Sequence, residues 1–328
     1  MELEVGYMKK INILFSSVGK RVELINAFRE AKDVMNIEGN LIGCDMDKSA
    51  PALRFVDKAY EVVKICDDNF INQIIDICKK EEISLIIPTL DTELLVYAKN
   101  KERIQTESGA KVMVCHEDMI AIMRNKKLTC EFLEKNSINV PNIINEISDD
   151  TIQYPLFIKP LDGSSGINNF KINNKDELVF FSKYVKNPII QEFVEGNEYC
   201  VDIFCDFNGN PITITPKLRI AHSSGEITKA KVIKDHEIIE LGKKIAEIFK
   251  PVGEINFDCI KNDNGVFVIE INGRFAGGAP ISFKAGSNSP MRIYEILLGK
   301  EVNYNEDFKD GFIALRFGNA VYINDGEL

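Results

Sequence analysis

The sequence predicts an α/β domain built on a parallel sheet, followed by an α+β region in two parts. Three observations carry this. Residues 11–114 alternate short apolar runs with amphipathic helical patterns, which implies a parallel sheet covered on both faces. Residues 154–194 read as strand, glycine loop, strand, helix, strand. From residue 198 the pattern turns antiparallel and leads to a hairpin over 253–272 with a row of polar side chains on one face.

In the first region the strand-like runs are 11–15, 41–44, 85–87 and 111–114, and the helical patterns cover 21–32, 69–81 and 92–106. Ser16-Ser17-Val18-Gly19-Lys20-Arg21 joins the first strand to the first helix. Such a turn either binds an anion or is purely structural, and it lacks the dinucleotide and P-loop fingerprints. Asp45 and Asp47 follow the second strand, at the carboxyl edge where ligands commonly bind. A single helix is expected over 119–136. Further on come strands over 198–207 and 211–221, turned at Asn208-Gly209-Asn210, and a helix over 235–249. The expected divisions are 1–115, 116–190 and 191–328.

The hairpin carries the sharpest chemistry. Its strands meet at Asn262-Asp263-Asn264-Gly265, and a three-residue loop with Gly265 left-handed sets Asn262 against Val266. That register puts Asp258 opposite Glu270 and Asn256 opposite Asn272, all four on one face. Ile255, Phe257 and Cys259, with Phe267, Ile269 and Ile271, then fall on the other face. Two carboxylates directly across a strand pair repel unless a cation lies between them. Oxygen ligands suit Mg²⁺, which prefers a few carboxylates plus substrate phosphates.

Composition sets outer bounds. The 328 residues are 45% hydrophobic and 27% charged, the profile of an ordinary globular chain with room for two or three domains. No apolar run approaches the roughly 20 residues of a membrane span, and the first ten residues lack a signal-peptide core. Cys44, Cys66, Cys78, Cys115, Cys130, Cys200, Cys205 and Cys259 form no C-x-x-C pair, which favours a reduced, cytoplasmic protein. A net charge of −10 argues against nucleic acid as a partner. His116, His222 and His236 are too scattered to suggest a metal cluster or a triad.

Other segments are spaced for a nucleotide. Phe157-Ile158-Lys159-Pro160 is followed at once by Asp162-Gly163-Ser164-Ser165-Gly166. A lysine beside exposed backbone N–H groups suits phosphate, although a surface hairpin with a solvated lysine reads equally well. Gln191-Glu192-Phe193-Val194-Glu195-Gly196-Asn197-Glu198-Tyr199 makes an acidic bend. Such a bend can read an adenine edge and a ribose, or be a plain connection. Lys217 and Arg219 share a strand face, and Gly273-Arg274-Phe275-Ala276-Gly277-Gly278-Ala279 follows the hairpin. An arginine there can neutralise a transferring phosphoryl group or a substrate carboxylate.

With Asn125-Lys126 ahead of them, these motifs occur in an order that resembles the ATP-grasp superfamily, and within it the carbamoyl-phosphate-synthase type. The resemblance covers nearly the whole chain. It implies a Rossmann-like pre-ATP-grasp domain followed by an ATP-grasp domain of two subdomains, with ATP between them. By motif matching, Lys126 and Lys159 contact the phosphates, and Ser164, Ser165 and Gly166 form part of a lid. Glu192, Phe193 and Val194 line the adenine site, and Glu198 binds the ribose. Asp258, Glu270 and Asn272 hold Mg²⁺, with Mn²⁺ as the alternative ion. Arg274, Lys159 and Arg219 serve the phosphoryl-transfer step. Asn125 and Lys217-Leu218-Arg219 depart from the family pattern, where an aspartate and two arginines are frequent.

The implied activity is an ATP-dependent carboxylate–amine ligase acting on small molecules through an acyl phosphate, without a covalent protein nucleophile. The resemblance also suggests a homodimer. The competing readings are a subunit of a carbamoyl-phosphate-synthase-like complex and a non-catalytic nucleotide-binding regulator. One motif set and no recognisable glutaminase rank the subunit lower; the full metal set argues against the regulator. The acceptor pocket is expected between Asp45, Arg219, Arg274 and residues 277–282.

Overall fold

The computed structural model describes residues 10–146, 152–163, 166–223, 225–324 and 326. β1 (Asn12–Ser16), β2 (Leu41–Asp45), β3 (Lys58–Glu61), β4 (Ile83–Pro88) and β5 (Lys111–Val112) form a parallel sheet in the order β3-β2-β1-β4-β5. The crossovers contain α1 (Val22–Val34), α2 (Phe70–Lys80) and α3 (Leu94–Ser108). Consecutive residues Ile13, Leu14 and Phe15 of β1 are all fully buried, as a strand covered on both faces requires. β3 escapes the sequence reading because Lys58-Ala59-Tyr60-Glu61 is a short, mostly exposed edge strand.

The single helix expected over 119–136 is two helices, α4 (Glu117–Arg124) and α5 (Lys126–Lys135). Asn125 between them is extended, at φ −119° and ψ 105°, and its side chain accepts from the backbone N–H groups of Lys127 and Leu128. It therefore ends one helix and caps the next, which sets Lys126 in the first turn of α5.

β6 (Leu156–Pro160), β7 (Phe170–Ile172) and β8 (Pro188–Glu192) form an antiparallel sheet in the order β7-β6-β8, with α6 (Lys175–Tyr184). This unit has its own small core of Leu156, Ile158, Ile172, Leu178, Val185 and Ile190. The expected strand, loop, strand, helix, strand order is found here.

The largest sheet runs β13-β12-β9-β10-β11-β14. Its strands are β9 (Asn197–Cys205), β10 (Pro211–Ser223), β11 (Glu226–Val232), β12 (Gly253–Asn262), β13 (Gly265–Asn272) and β14 (Ile313–Leu315), with α7 (His236–Phe249) against β10 and β9. After the hairpin, α8 (Ala279–Ala285) and α9 (Ser289–Leu297) return to α1. Phe28 of α1 meets Phe275 at 6.0 Å and Tyr294 at 6.1 Å, both edge-on. This packing draws the segment after the hairpin to the carboxyl edge of the parallel sheet.

The hairpin has the expected pairing for a different reason. Asp258 pairs with Glu270 and Asn256 with Asn272, but Asn262 pairs with Gly265, so the loop has two residues, Asp263 and Asn264. The register shifts between Asp258 and Cys259, which leaves Ile269 as an extra residue on β13. Gly265 has φ 124°, outside the expected left-handed helical conformation. The extra residue also reverses the alternation towards the loop. Val266, Val268 and Ile271 are the buried residues of β13, while Phe267 and Ile269 are only half-buried. The expectation that Phe267 and Ile269 share the apolar face with Ile271 is thereby corrected.

Candidate active site

A cavity of about 700 Å³ opens between the three sheets. Its floor is the polar face of the large sheet, where Arg219, Asp258, Glu270 and Asn272 point inward. α5 and the loop after β6 contribute Lys126, Lys159, Gly163 and Gly166. The parallel-sheet side contributes Arg21, Thr89 and Asp91, and the segment after the hairpin adds Arg274 and Gly277.

Opposite charges alternate across the floor. Arg219 pairs with Asp258 at 3.1 Å and also with Glu198. Lys126 lies 3.3 Å from Glu270 and donates to the Gly163 carbonyl at 2.6 Å. Lys159 donates to the Ile269 carbonyl at 3.0 Å. The bulge places that residue beside the cavity, which Ile269 and Glu270 both line. Arg274 is held by Asp91 at 2.6 Å, and its carbonyl accepts from Asn256 at 3.0 Å. These contacts tie the hairpin to all three walls.

Burial shapes the charges. It pulls the Lys159 ammonium below the usual lysine range, with Glu270 opposing. For Arg219 burial also works downward, but Asp258 and Glu198 more than offset it and the pKa is raised. Burial pushes the Glu198 carboxyl up, against the pull of Arg219. Cys200, which lines the cavity, has its thiol pushed well up by burial and then by Asp258, so it is a poor nucleophile.

The expected metal ligands can be tested on their free atoms. Asp258 Oδ1 is buried and has no hydrogen-bond partner among the described residues. Asp258 faces Glu270 across the strand pair, and the Asn272 amide nitrogen donates to Asn256 at 3.3 Å, which leaves its carbonyl oxygen for another contact. Among the described residues no group of three or more His, Cys, Asp or Glu side chains has a metal-binding arrangement. Two carboxylates and an amide suit a hard cation that completes its shell with non-protein oxygens.

Among the other expected site residues, Gly166 lines the cavity in the left-handed conformation at φ 67°. Ser164 and Ser165 lie outside the described residues. Glu192, Phe193 and Val194 do not line the described cavity. Glu192 accepts from the Asn142 backbone and side chain at 3.1 and 2.9 Å, and Lys171 sits 4.2 Å over the Phe193 ring. Asp45 is committed to the β1–α1 turn: it accepts from Gly19 and Asp47 N–H groups at 2.8 and 2.9 Å and does not line the described cavity. Arg21, Asp91 and Glu226 line it without having been singled out for the site from the sequence. In the sequence only the turn holding Arg21 stands out, and the side chain's destination depends on how α8 and α9 dock.

Residues 13–113 match the PylC-like N-terminal domain and residues 123–278 the ATP-grasp domain. The carbamoyl phosphate synthase large chain of Thermoanaerobacter sp. (strain X514) is 23% identical over 220 residues, 60% of this chain and 20% of that one. The tyramine–L-glutamate ligase of Methanocaldococcus jannaschii is 26% identical over 222 residues, 66% of this chain and 64% of that one. The chain thus matches less than two thirds of either relative's length. The biotin carboxylase domain dimer of Hydrogenobacter thermophilus 2-oxoglutarate carboxylase was solved with ADP, its magnesium salt and bicarbonate. It shares the fold at a TM-score of 0.68 and 16% identity, over 92% of this chain and 73% of that one. No helix among the described residues is long and apolar enough to cross a membrane. With a PylC-like N-terminal domain ahead of an ATP-grasp domain, the chain belongs to the ATP-grasp proteins.

Proposed function

We propose that the chain is an ATP- and Mg²⁺-dependent ligase that activates a small carboxylate as an acyl phosphate and joins it to an amine. The observation that carries this reading is the convergence of Lys126 and Lys159 on the Asp258–Glu270 strand pair inside one cavity. Two cations from different elements above two opposed carboxylates suit a polyphosphate and its metal. The similarity to tyramine–L-glutamate ligase supports the reaction class.

In this reading Lys126 and Lys159 hold the phosphates, with Gly163 and Gly166 beside them. Asp258, Glu270 and the Asn272 carbonyl oxygen hold the magnesium ion, which when bound neutralises phosphate charge; Mn²⁺ is the alternative ion. Glu198 takes the ribose, and the bend at Glu192, Phe193 and Val194 serves the base. Arg219 and Arg274 face charge that develops as a substrate carboxylate oxygen attacks the γ-phosphorus and ADP leaves. An amine then displaces phosphate from the acyl phosphate. Positioning and charge neutralisation carry such phosphoryl transfers, so no covalent protein nucleophile is required. A homodimer belongs to the same reading.

The test is ADP release from Mg·ATP across a matrix of carboxylates and amines. Release should require one of each, and Asp258→Ala and Glu270→Ala should each lower turnover at least about 100-fold. Wild-type-like turnover in both variants would refute the metal assignment.

A further inference from the structure

Among the described residues, the ion pairs at the parallel-sheet end of the cavity leave one cation without a carboxylate partner, opposite an anion that is only loosely paired. Arg274 is taken by Asp91 at 2.6 Å. Arg316 is taken by Glu23 at 2.7 Å, with a looser approach to Glu226 at 3.5 Å. Arg21 donates to the Thr89 carbonyl at 3.0 Å, and among the described residues no carboxylate lies within ion-pair distance of it. Its side chain nevertheless lines the cavity, as does Glu226. A methyl group built on Gly277 would stand 3.8 Å from Arg21 Nη1 and 3.8 Å from the Glu226 carboxyl carbon. The two charges therefore flank bare glycine backbone without meeting.

The nearby carboxylates offset the burial of Arg21 only in part. Burial, and then the neighbouring Arg274, lower the Arg21 pKa to about 10 against the weaker pull of Asp91 and Glu226, which leaves it protonated at neutral pH. A guanidinium in such surroundings gains from a carboxylate, which it can bind through two parallel hydrogen bonds. The ligand is not a simple anion, because Glu226 would repel a phosphate. A lone monoamine would leave Arg21 as it is. A zwitterion matches both charges.

We propose that Arg21, Glu226 and Gly277 form the receptor for the charged head of an α-amino acid substrate, with its carboxylate on Arg21 and its ammonium toward Glu226. This rests on the ligase reading and names one substrate class for it. It makes Arg21, from the PylC-like domain, a specificity-determining residue. Gly277 matters because any side chain there would enter the gap between the two charges.

Calorimetry on the full chain with Mg·ADP tests this, using the twenty proteinogenic amino acids, each beside its carboxamide and its decarboxylated amine. At least one amino acid should bind, and its carboxamide and amine should bind about 30-fold more weakly or worse. Arg21→Met should weaken the amino acid by a similar factor, leave ADP binding unchanged and weaken the carboxamide no further. Arg21→Lys should retain part of the affinity. The carboxamide comparison uses the unaltered chain, so it holds even where Arg21→Met fails to fold. Absence of binding by every amino acid, equal binding of acid and carboxamide, or an unaffected Arg21→Met variant would overturn the proposal. An amino acid that binds through Arg21 while no amine supports ADP formation would sink the ligase reading and leave the receptor standing.

Discussion

Lys159 of β6 donates at 3.0 Å to the carbonyl of Ile269, the extra residue in the bulge of β13. The bond fastens the small sheet to the large one across the cavity. It also holds a buried lysine, only 5% exposed as a residue, whose ammonium has a neutral carbonyl as its acceptor. The bulge turns that carbonyl aside from regular pairing.

The lowered Lys159 pKa makes stability depend on pH. Because the native state holds this proton less tightly, the unfolded chain binds more protons between the native value and the ordinary 10.5. Stability therefore rises with pH across that window, and the full cost of the buried charge is present below it. Urea unfolding of the parent and Lys159→Met should show the parent gaining relative to the variant as pH climbs toward 10.5, while turnover of the variant falls at least about 100-fold at every pH. A constant difference in stability would contradict this.

Lys217 and Asp202 form an ion pair buried beneath the cavity, with Ser282 donating to Asp202 at 2.6 Å. Removing one partner strands the other charge out of water. Asp202→Ala should cost about 3–5 kcal/mol in chemical denaturation, whereas Asp202→Leu combined with Lys217→Met should cost far less. Additive losses would show that the pair is not coupled.

Asn125 sets the start of α5 and hence the place of Lys126. Asn125→Ala should lower stability by about 1 kcal/mol and raise the KM for ATP, while Asn125→Asp should match the parent, since both residues cap well. Unchanged melting of Asn125→Ala would remove the capping argument.

The phase reversal in β13 is open to a paired substitution. Val268 is 1% exposed whereas Phe267 is half-buried. Val268→Asp should unfold the chain or cost more than about 3 kcal/mol, and Phe267→Asp should be tolerated, as read from thermal melting. The reverse outcome would restore unbroken alternation.

The hairpin shows how far the sequence could be read. Alternation is strong over Asn256-Phe257-Asp258 and Glu270-Ile271-Asn272, so the facing of the carboxylates was legible. The bulge was not, because a two-residue loop plus one extra residue restores the same pairing as a three-residue loop. The helix break at Asn125 lay hidden because apolar spacing continues through it. β11 escaped because its partner β10 shifts register twice along their pairing, and its outward residues are lysines and glutamate. Arg21 needed tertiary structure, since only the docking of α8 and α9 on α1 brings Gly277 beside it.

The ion pairs on the cavity floor have a thermodynamic consequence. Lys126 pairs with Glu270, and Arg219 with both Asp258 and Glu198, so two cations face three carboxylates in these contacts. A polyphosphate and its cation entering this space would exchange partners with groups that are already paired, Asp258 Oδ1 excepted. A nucleotide without its metal would then meet the excess of carboxylates, and the metal without its nucleotide would take carboxylates from Lys126 and Arg219 and leave those cations unpaired. On the proposed reading the floor would therefore favour the two arriving together.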